Sequence, residues 1–262
     1  MAESFLYTTQ LQAGLGLINE TKTLLDIWSP DMSAAMLYQV ALESGRFPRV
    51  TARRLRNIVT ECFAPRYLGP NGQPAAHLKR LAPALSTPDF AQLLLIFTCR
   101  ANPILADFVR EIYWGRYGGG HSQITNDDAR AFIERAMDDG KTTKRWAEST
   151  VQRMSAYLTG CCADYGLLEA GTRSSRKVIP YRIAPPVSAY LAYSLHLAGF
   201  SNNAILANED WGLFGLAPED VLEEIKRLSL RGLAIVQAAA DVVRISWKYR
   251  SMGELLDVLT QS

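Results

Sequence analysis

The amino-acid sequence predicts a mainly α protein: a helical bundle with helix-turn-helix and winged-helix-like elements and short β-hairpin wings. Three observations lead there. Apolar residues recur at three- and four-residue steps along most of the 262 residues, the stripe an amphipathic helix leaves. Extended runs are few and short. Hydroxyl residues and prolines stand where the periodic stretches start, and glycines where they stop, as helix caps require.

The first helix spans Leu15 to Trp28, with Leu17, Ile18, Leu24, Leu25 and Trp28 in phase. Ser29-Pro30-Asp31 stops it and starts a second over Met32 to Leu42, closed by Gly45. Thr51 caps a third over Ala52 to Phe63, which buries Leu55, Ile58, Val59 and Cys62 and turns Arg53, Arg54 and Arg56 outward. Two short helices joined by a glycine-containing turn, the second Arg-rich near its start, outline a helix-turn-helix. The loop Gly69 to Pro74 follows, then a short helix between His77 and Leu85. Thr87-Pro88 opens a helix over Asp89 to Cys99, and Asn102-Pro103 opens another over Ile104 to Trp114. Phe108, Tyr113, Trp114 and Tyr117 read as packing residues rather than a base-stacking platform. Gly118-Gly119-Gly120 is a linker; it lacks the pattern of a phosphate loop. Thr125 caps a helix over Asp127 to Met137.

The stretch from Lys141 to Ala184 organises the chain. A basic lead-in, Lys141 to Trp146, precedes a helix that Ser149 caps and Gly166 closes. Val151, Met154, Tyr157, Leu158, Cys161 and Cys162 form its apolar stripe. Leu167-Leu168 start an extended segment, Gly171 to Lys177 make a basic turn, and Val178 to Ile183 return as an edge strand marked by Pro180. Helix, strand, basic turn, strand outlines a winged helix, whose helix enters the DNA major groove in proteins of that kind.

Pro185-Pro186 then breaks the chain. Helices follow over Val187 to Leu197, with His196 as a packed side chain, and over Asn202 to Asn208. Trp211 to Leu216 form an aromatic-rich corner. Pro218 starts a helix over Glu219 to Ser229, with its acids at the positive end. Leu233 to Val236 and Val242 to Trp247 form two strands joined by Gln237 to Asp241, and Ser251 to Leu259 close the chain as a helix. This second winged-helix-like element has a wing without bases, so its wing is structural or meets protein. Four parts result: residues 1–68, 69–140, 141–184 and 185–262, packed separately or as one compact globule.

The formal net charge is +2, but the distribution is uneven. Between Gly45 and Arg66, Arg46, Arg49, Arg53, Arg54, Arg56 and Arg66 face Glu61 alone. Between Lys144 and Arg182, Lys144, Arg145, Arg153, Arg173, Arg176, Lys177 and Arg182 outnumber Glu148, Asp164 and Glu169. Two basic islands on a near-neutral chain imply local contacts with an anion, for which nucleic acid is the leading candidate. Two solvated helix faces are the alternative. No apolar stretch has signal-peptide form or membrane-spanning length, which makes a cytoplasmic protein the expectation. Cys62, Cys99, Cys161 and Cys162 show no C-x-x-C pairing, and with His77, His121 and His196 they offer no zinc pattern. All four read as buried thiols. No nucleophile elbow, metalloprotease motif or dinucleotide fingerprint is present, so neither an enzyme nor a cofactor is expected.

Several stretches resemble one family: YTTQLQAGLGLINETKTLLDIW, TARRLRNIV, CRANPILADFVREIYW, WAESTVQRMSAYLTGCCADYGLLE and DWGLFGLAPEDVLEEIKRLSLRGLAIVQAAADVVRISW look like BrxA, a core protein of bacteriophage exclusion (BREX) defence systems. The resemblance covers most of the chain. It implies a mostly helical cytoplasmic protein with a positive surface for double-stranded DNA. It also implies a non-enzymatic role beside the methyltransferase, ATPase and phosphatase components of the system.

From this chain's own residues, the expected DNA contacts are Arg49, Arg53, Arg54 and Arg56 on one island. On the other they are Lys144, Arg145, Thr150 and Arg153, with Arg173, Arg176 and Lys177 as the wing. Most should meet phosphates, which position a protein without specifying sequence. A scaffold that binds other defence proteins, through the uncharged wing and the WGLFGL corner, and an RNA-binding protein are the competing readings.

Overall fold

The structure is a computed structural model, and it describes residues 6–171, 174–239 and 242–261. The chain divides into two compact units, Met1–Lys79 with Leu94–Pro180, and Arg80–Leu93 with Tyr181–Ser262. It is mainly helical, with two small two-stranded antiparallel sheets among the described residues.

The first unit opens with a strap, residues 6–17, that carries one 3-10 turn, Gln10–Ala13. Helix α1 (Ile18–Ile27) follows, buried through Thr21, Leu24 and Leu25. Helix α2 (Ala34–Glu43) is capped by Ser33, whose hydroxyl accepts from the Met36 N–H at 3.2 Å. The expected start at Pro30 therefore moves by one turn, because Ser33 supplies the oxygen that an orphan N–H needs. Thr51 caps α3 (Ala52–Asn57) as expected, accepting from Arg54 N–H at 3.2 Å. α3 runs through a widened π turn, Ile58–Phe63, into α4 (Ala64–Tyr67), and buries the expected stripe Leu55, Ile58, Val59 and Cys62.

Helix α5 (Gln73–Leu81) leads to α6 (Thr87–Ala101). Ser86, rather than Thr87, supplies the capping oxygen, 3.2 Å from Asp89 N. α6 is buried without a break from Phe90 to Cys99, which fits a helix with no polar face along that run. Helix α7 (Pro103–Asp107) continues through a second π turn, Phe108–Tyr113, into α8 (Trp114–Gly118).

Strand β1 (Gln123–Thr125), helix α9 (Asn126–Asp138), helix α10 (Glu148–Asp164) and strand β2 (Ser175–Lys177) complete the unit. β2 pairs antiparallel with β1, Ile124 opposite Arg176. On the other side of β2 the segment after α10 joins in: Leu168 bridges Val178, and Glu169 N–H donates to Lys177 O at 2.9 Å. The order is helix, strand, helix, helix, strand, turn, strand. Two expectations are corrected. Ser149 lies inside α10, whose first turn starts from Ala147 without a side-chain cap. The return strand is Ser175–Lys177 with the Val178 bridge, not residues 178–183; it is drawn one turn earlier because β1 offers its hydrogen bonds there.

Thr125 caps α9 through a reciprocal pair: its hydroxyl accepts from Asp128 N–H at 3.1 Å, and Asp128 Oδ2 accepts from Thr125 N–H at 2.8 Å. Burial acts to raise the Asp128 pKa, but the Thr125 hydrogen bonds and the Arg116 guanidinium outweigh it and hold the carboxyl below its ordinary value. A depressed folded-state pKa means stability that is present above the unfolded value near ~4 and lost as pH falls through the folded one. Thr125→Ala should cost about 1 kcal/mol, and Asp128→Asn should remove this part of the acid sensitivity; urea unfolding at about pH 7 and about pH 3 checks both.

Besides Arg80–Leu93, which takes in the first half of α6, the second unit holds α11 (Pro185–Leu197), α12 (Asn202–Leu206), a 3-10 turn Glu209–Phe214, α13 (Pro218–Leu230), the hairpin β3 (Ala234–Ala239) with β4 (Val242–Trp247), and α14 (Met252–Leu259). His196 stacks on Trp247, ring centroids 4.8 Å apart, as a packed side chain. The WGLFGL corner is not the open surface expected of it. Trp211, Leu213 and Phe214 are buried, and the Trp211 indole N–H donates to Ile205 O at 2.8 Å.

The four cysteines are buried, and none forms a disulfide. Burial pushes the Cys161 thiol up to about 12 and raises Cys62 and Cys162 as well, so none of these three is a ready thiolate. Among the described residues no single helix is long and apolar enough to cross a membrane. Among the same residues no group of three or more His, Cys, Asp or Glu is placed to hold a metal ion.

Candidate nucleic-acid interface

The first unit's basic residues are arranged around the strap. The strap has no helical periodicity, and its backbone groups find distant partners. Tyr7 N–H donates to Lys141 O at 2.7 Å, and the Tyr7 hydroxyl donates to Asp107 at 2.5 Å. Arg54 on α3 donates to Ala13 O. Arg66, 5% exposed, donates to Gly14 O at 2.6 Å and Leu15 O at 2.8 Å. Gly16 N–H donates to Asp164 on α10 at 2.9 Å, and a Cβ at Gly16 would lie 2.6 Å from the Asp164 Cβ, so only glycine passes there. The strap thus lies against the α3–α4 helix on one side and α10 with its lead-in on the other.

A cleft of about 660 Å³ opens where the strap meets that lead-in. The strap contributes Thr8, Thr9 and Gln12 to its wall, and the segment into α10 contributes Lys144, Arg145, Trp146, Thr150 and Arg153. Among the described residues no carboxylate lines it. Lys144 is exposed and has no ion-pair partner among the described residues. Arg153 is exposed too, and its Nε donates to Ser149 O at 3.2 Å, which holds the guanidinium along the first turn of α10. Arg145 pairs with Asp138 at 2.6 Å across open solvent, both side chains well exposed, an arrangement that holds a cation weakly. The N-terminal end of α10 opens into the cleft at Ala147 and Thr150, and helix starts favour anions. Glu148 in that first turn opposes this, but it is drawn to Arg130 at 3.0 Å.

The expected site residues separate into groups. Lys144, Arg145, Thr150 and Arg153 are brought together around the cleft. Arg54 does not line the cleft; it is exposed on α3 and holds the carbonyl of Ala13, next to the lining residue Gln12. Arg49 and Arg53 are exposed near the start of α3. Arg56 instead lines a separate groove of about 550 Å³ with Met36, Tyr38 and Val40 from α2. Lys177 is exposed on β2. Arg173 lies outside the described residues. Arg176 is a correction: it is 7% exposed, and its guanidinium donates inward to Glu169 O at 3.1 Å and to Gly171 O, tying the two ends of the turn together. A side chain so committed is not free to meet a duplex.

Sequence reasoning missed the strap's contribution. Thr8, Thr9 and Gln12 carry no motif, and only the Gly14-Leu15-Gly16 run, which permits the close passage past Asp164, hinted that this segment is packed.

The chain matches the model of the BrxA family over residues 6–194. No match was found among curated proteins. The matched region takes in the strap, both basic islands and the cleft, and the chain belongs to the BrxA family of bacteriophage-exclusion (BREX) phage-defence proteins.

Proposed function

We propose that this chain is a non-enzymatic accessory protein of its defence system that binds double-stranded DNA, mainly through backbone phosphates. One observation carries the reading: Lys144 and Arg153 stand exposed in one cleft, and among the described residues neither has a carboxylate partner and no acid lines the cleft. Cations kept clear of acids on a chain of net charge +2 are the electrostatic footprint of a polyanion site. The helix–strand–helix–helix–strand–turn–strand order supports a winged-helix reading, in which α10 would approach the groove.

Binding should depend steeply on salt, because each neutralised phosphate releases counterions. With ~6 phosphates contacted, affinity falls by roughly three decades between about 50 and 200 mM salt. Fluorescence anisotropy with a labelled duplex of about three helical turns measures this, with duplex RNA as competitor. Absence of binding at low salt would sink the DNA reading for the isolated chain.

A second reading, a scaffold for other BREX components, is favoured for the second unit. Helix α13 stands where a winged helix would present its reading helix, yet its exposed first turns carry Glu219, Asp220 and Glu223, with Lys226 paired to Glu223 and Arg227 to Glu224. Those carboxylates repel phosphate. Leu230 at the far end of α13 and Ile235 on β3 are 89% and 62% exposed, the kind of apolar surface that meets protein.

A further inference from the structure

The cleft is larger and more aromatic than a seat for one backbone phosphate requires. Trp146 lies in its wall, half-buried, and differs from the other tryptophans. Trp28 and Trp211 are core residues, Trp114 packs edge-on against Tyr113 and Tyr117, and Trp247 lies against Tyr193 and His196. The Trp146 ring meets no aromatic ring among the described residues, and its indole N–H has no hydrogen-bond partner there. Its backbone alone is held, by a 3.1 Å contact from N–H to Met137 Sδ. A tryptophan unstacked among the described residues, in one wall with two cations that have no ion-pair partner there and facing a row of hydroxyls across the cleft, has the chemistry of a nucleotide seat: a π face for a base, cations for a phosphate, and hydroxyl and amide groups for the sugar and base edges.

We infer that this cleft holds one unpaired nucleotide, its phosphate on Lys144 and Arg153 and its base against the indole of Trp146. The inference rests on the nucleic-acid reading above and deepens it: the chain prefers DNA that offers an unpaired base, at an end, a tail or an opened pair, over a closed duplex. A volume of about 660 Å³ accommodates a nucleotide with its first waters, within the range of small-ligand sites. A rigid blunt duplex, its bases stacked inside, leaves the indole uncovered. Stacking is indifferent to base identity, so the preference is for an open structure and not for a sequence.

The test compares a labelled blunt duplex with the same duplex carrying a single-stranded tail of about five nucleotides, by anisotropy at one salt concentration. The tailed duplex should bind roughly tenfold tighter, a ratio set by one base–aromatic stack. Trp146→Ala should bring that ratio to about one, and Trp146→Phe should keep most of it. Circular dichroism shows whether both variants fold, and the Phe variant keeps the test informative if Trp146→Ala does not. Competition with deoxyadenosine monophosphate against inorganic phosphate, at matched ionic strength, separates the sources. Stronger displacement of the tail by the nucleotide means that a free nucleotide suffices; a tail preference that neither displaces means that the nucleotide must belong to a strand. Equal affinity of wild type for the two duplexes, or a tail preference that survives Trp146→Ala, overturns the inference while leaving duplex binding standing. Failure to bind either duplex overturns the nucleic-acid reading itself.

Discussion

Lys144→Glu combined with Arg153→Glu is expected to weaken duplex DNA binding about a hundredfold at about 0.1 M salt. The magnitude follows from counterion release. Each lost phosphate contact removes about 0.9 from the slope of log affinity against log salt, so two contacts are worth nearly two decades at ~0.1 M, before the added repulsion of the new carboxylates. The slope itself should fall by about two, a change that a merely misfolded variant would not give. The fold should survive, because both side chains are exposed and neither belongs to an ion pair among the described residues. Surface changes of that kind usually stay within about 0.5 kcal/mol in stability. Arg56→Glu is the informative control. Arg56 faces the α2 groove and not the cleft, so its reversal should cost much less than the pair. An equal loss from Arg56→Glu, or a loss of less than about fivefold from the double variant, would move the interface away from the cleft.

Arg66→Ala is expected to produce the largest loss of stability among the basic residues, about 2 to 5 kcal/mol in urea unfolding of the first unit. Arg66 is not a DNA contact. It is buried, it pairs with no carboxylate among the described residues, and its two terminal nitrogens satisfy the carbonyls of Gly14 and Leu15. Removing it leaves two acceptors in a dry environment, each costing about 1 to 3 kcal/mol, and leaves a void beside Tyr67 and Cys161. Arg66→Lys should recover only part of the loss, since one ammonium cannot copy a planar fork that reaches two carbonyls. Because the strap forms one wall of the cleft, Arg66→Ala should also weaken DNA binding, although the residue lies inside. If Arg66→Ala unfolds at the wild-type urea concentration, the strap is held by other means.

Local chemistry made much of the fold legible. The caps at Thr51 and Thr125 and the buried stripe Leu55, Ile58, Val59 and Cys62 depend on residues within a few positions of one another, so spacing alone reveals them. The C-terminal hairpin was legible for the same reason, although its first strand runs on through Gln237 to Ala239, residues expected in the turn, because β4 pairs with them. β1 was not, because a three-residue strand has no pattern of its own; it is a strand only because Ser175–Lys177, about fifty residues later, pairs with it. The return strand was misplaced for that same reason.

The site divides in the same way. The sequence by itself determined that this chain carries two basic islands, a mainly helical fold and the BrxA pattern, because charge, periodicity and family pattern are properties of the residue order. Only the tertiary structure decided that Lys144, Arg145, Thr150 and Arg153 line one cleft, that Arg54 holds the strap at Ala13, and that Arg56 faces elsewhere. It also turned Arg176 inward, onto the carbonyls of Glu169 and Gly171. Charge can be read along a chain, but the direction a charged side chain takes is set by which buried carbonyls lack donors, and that is known only once distant segments have met.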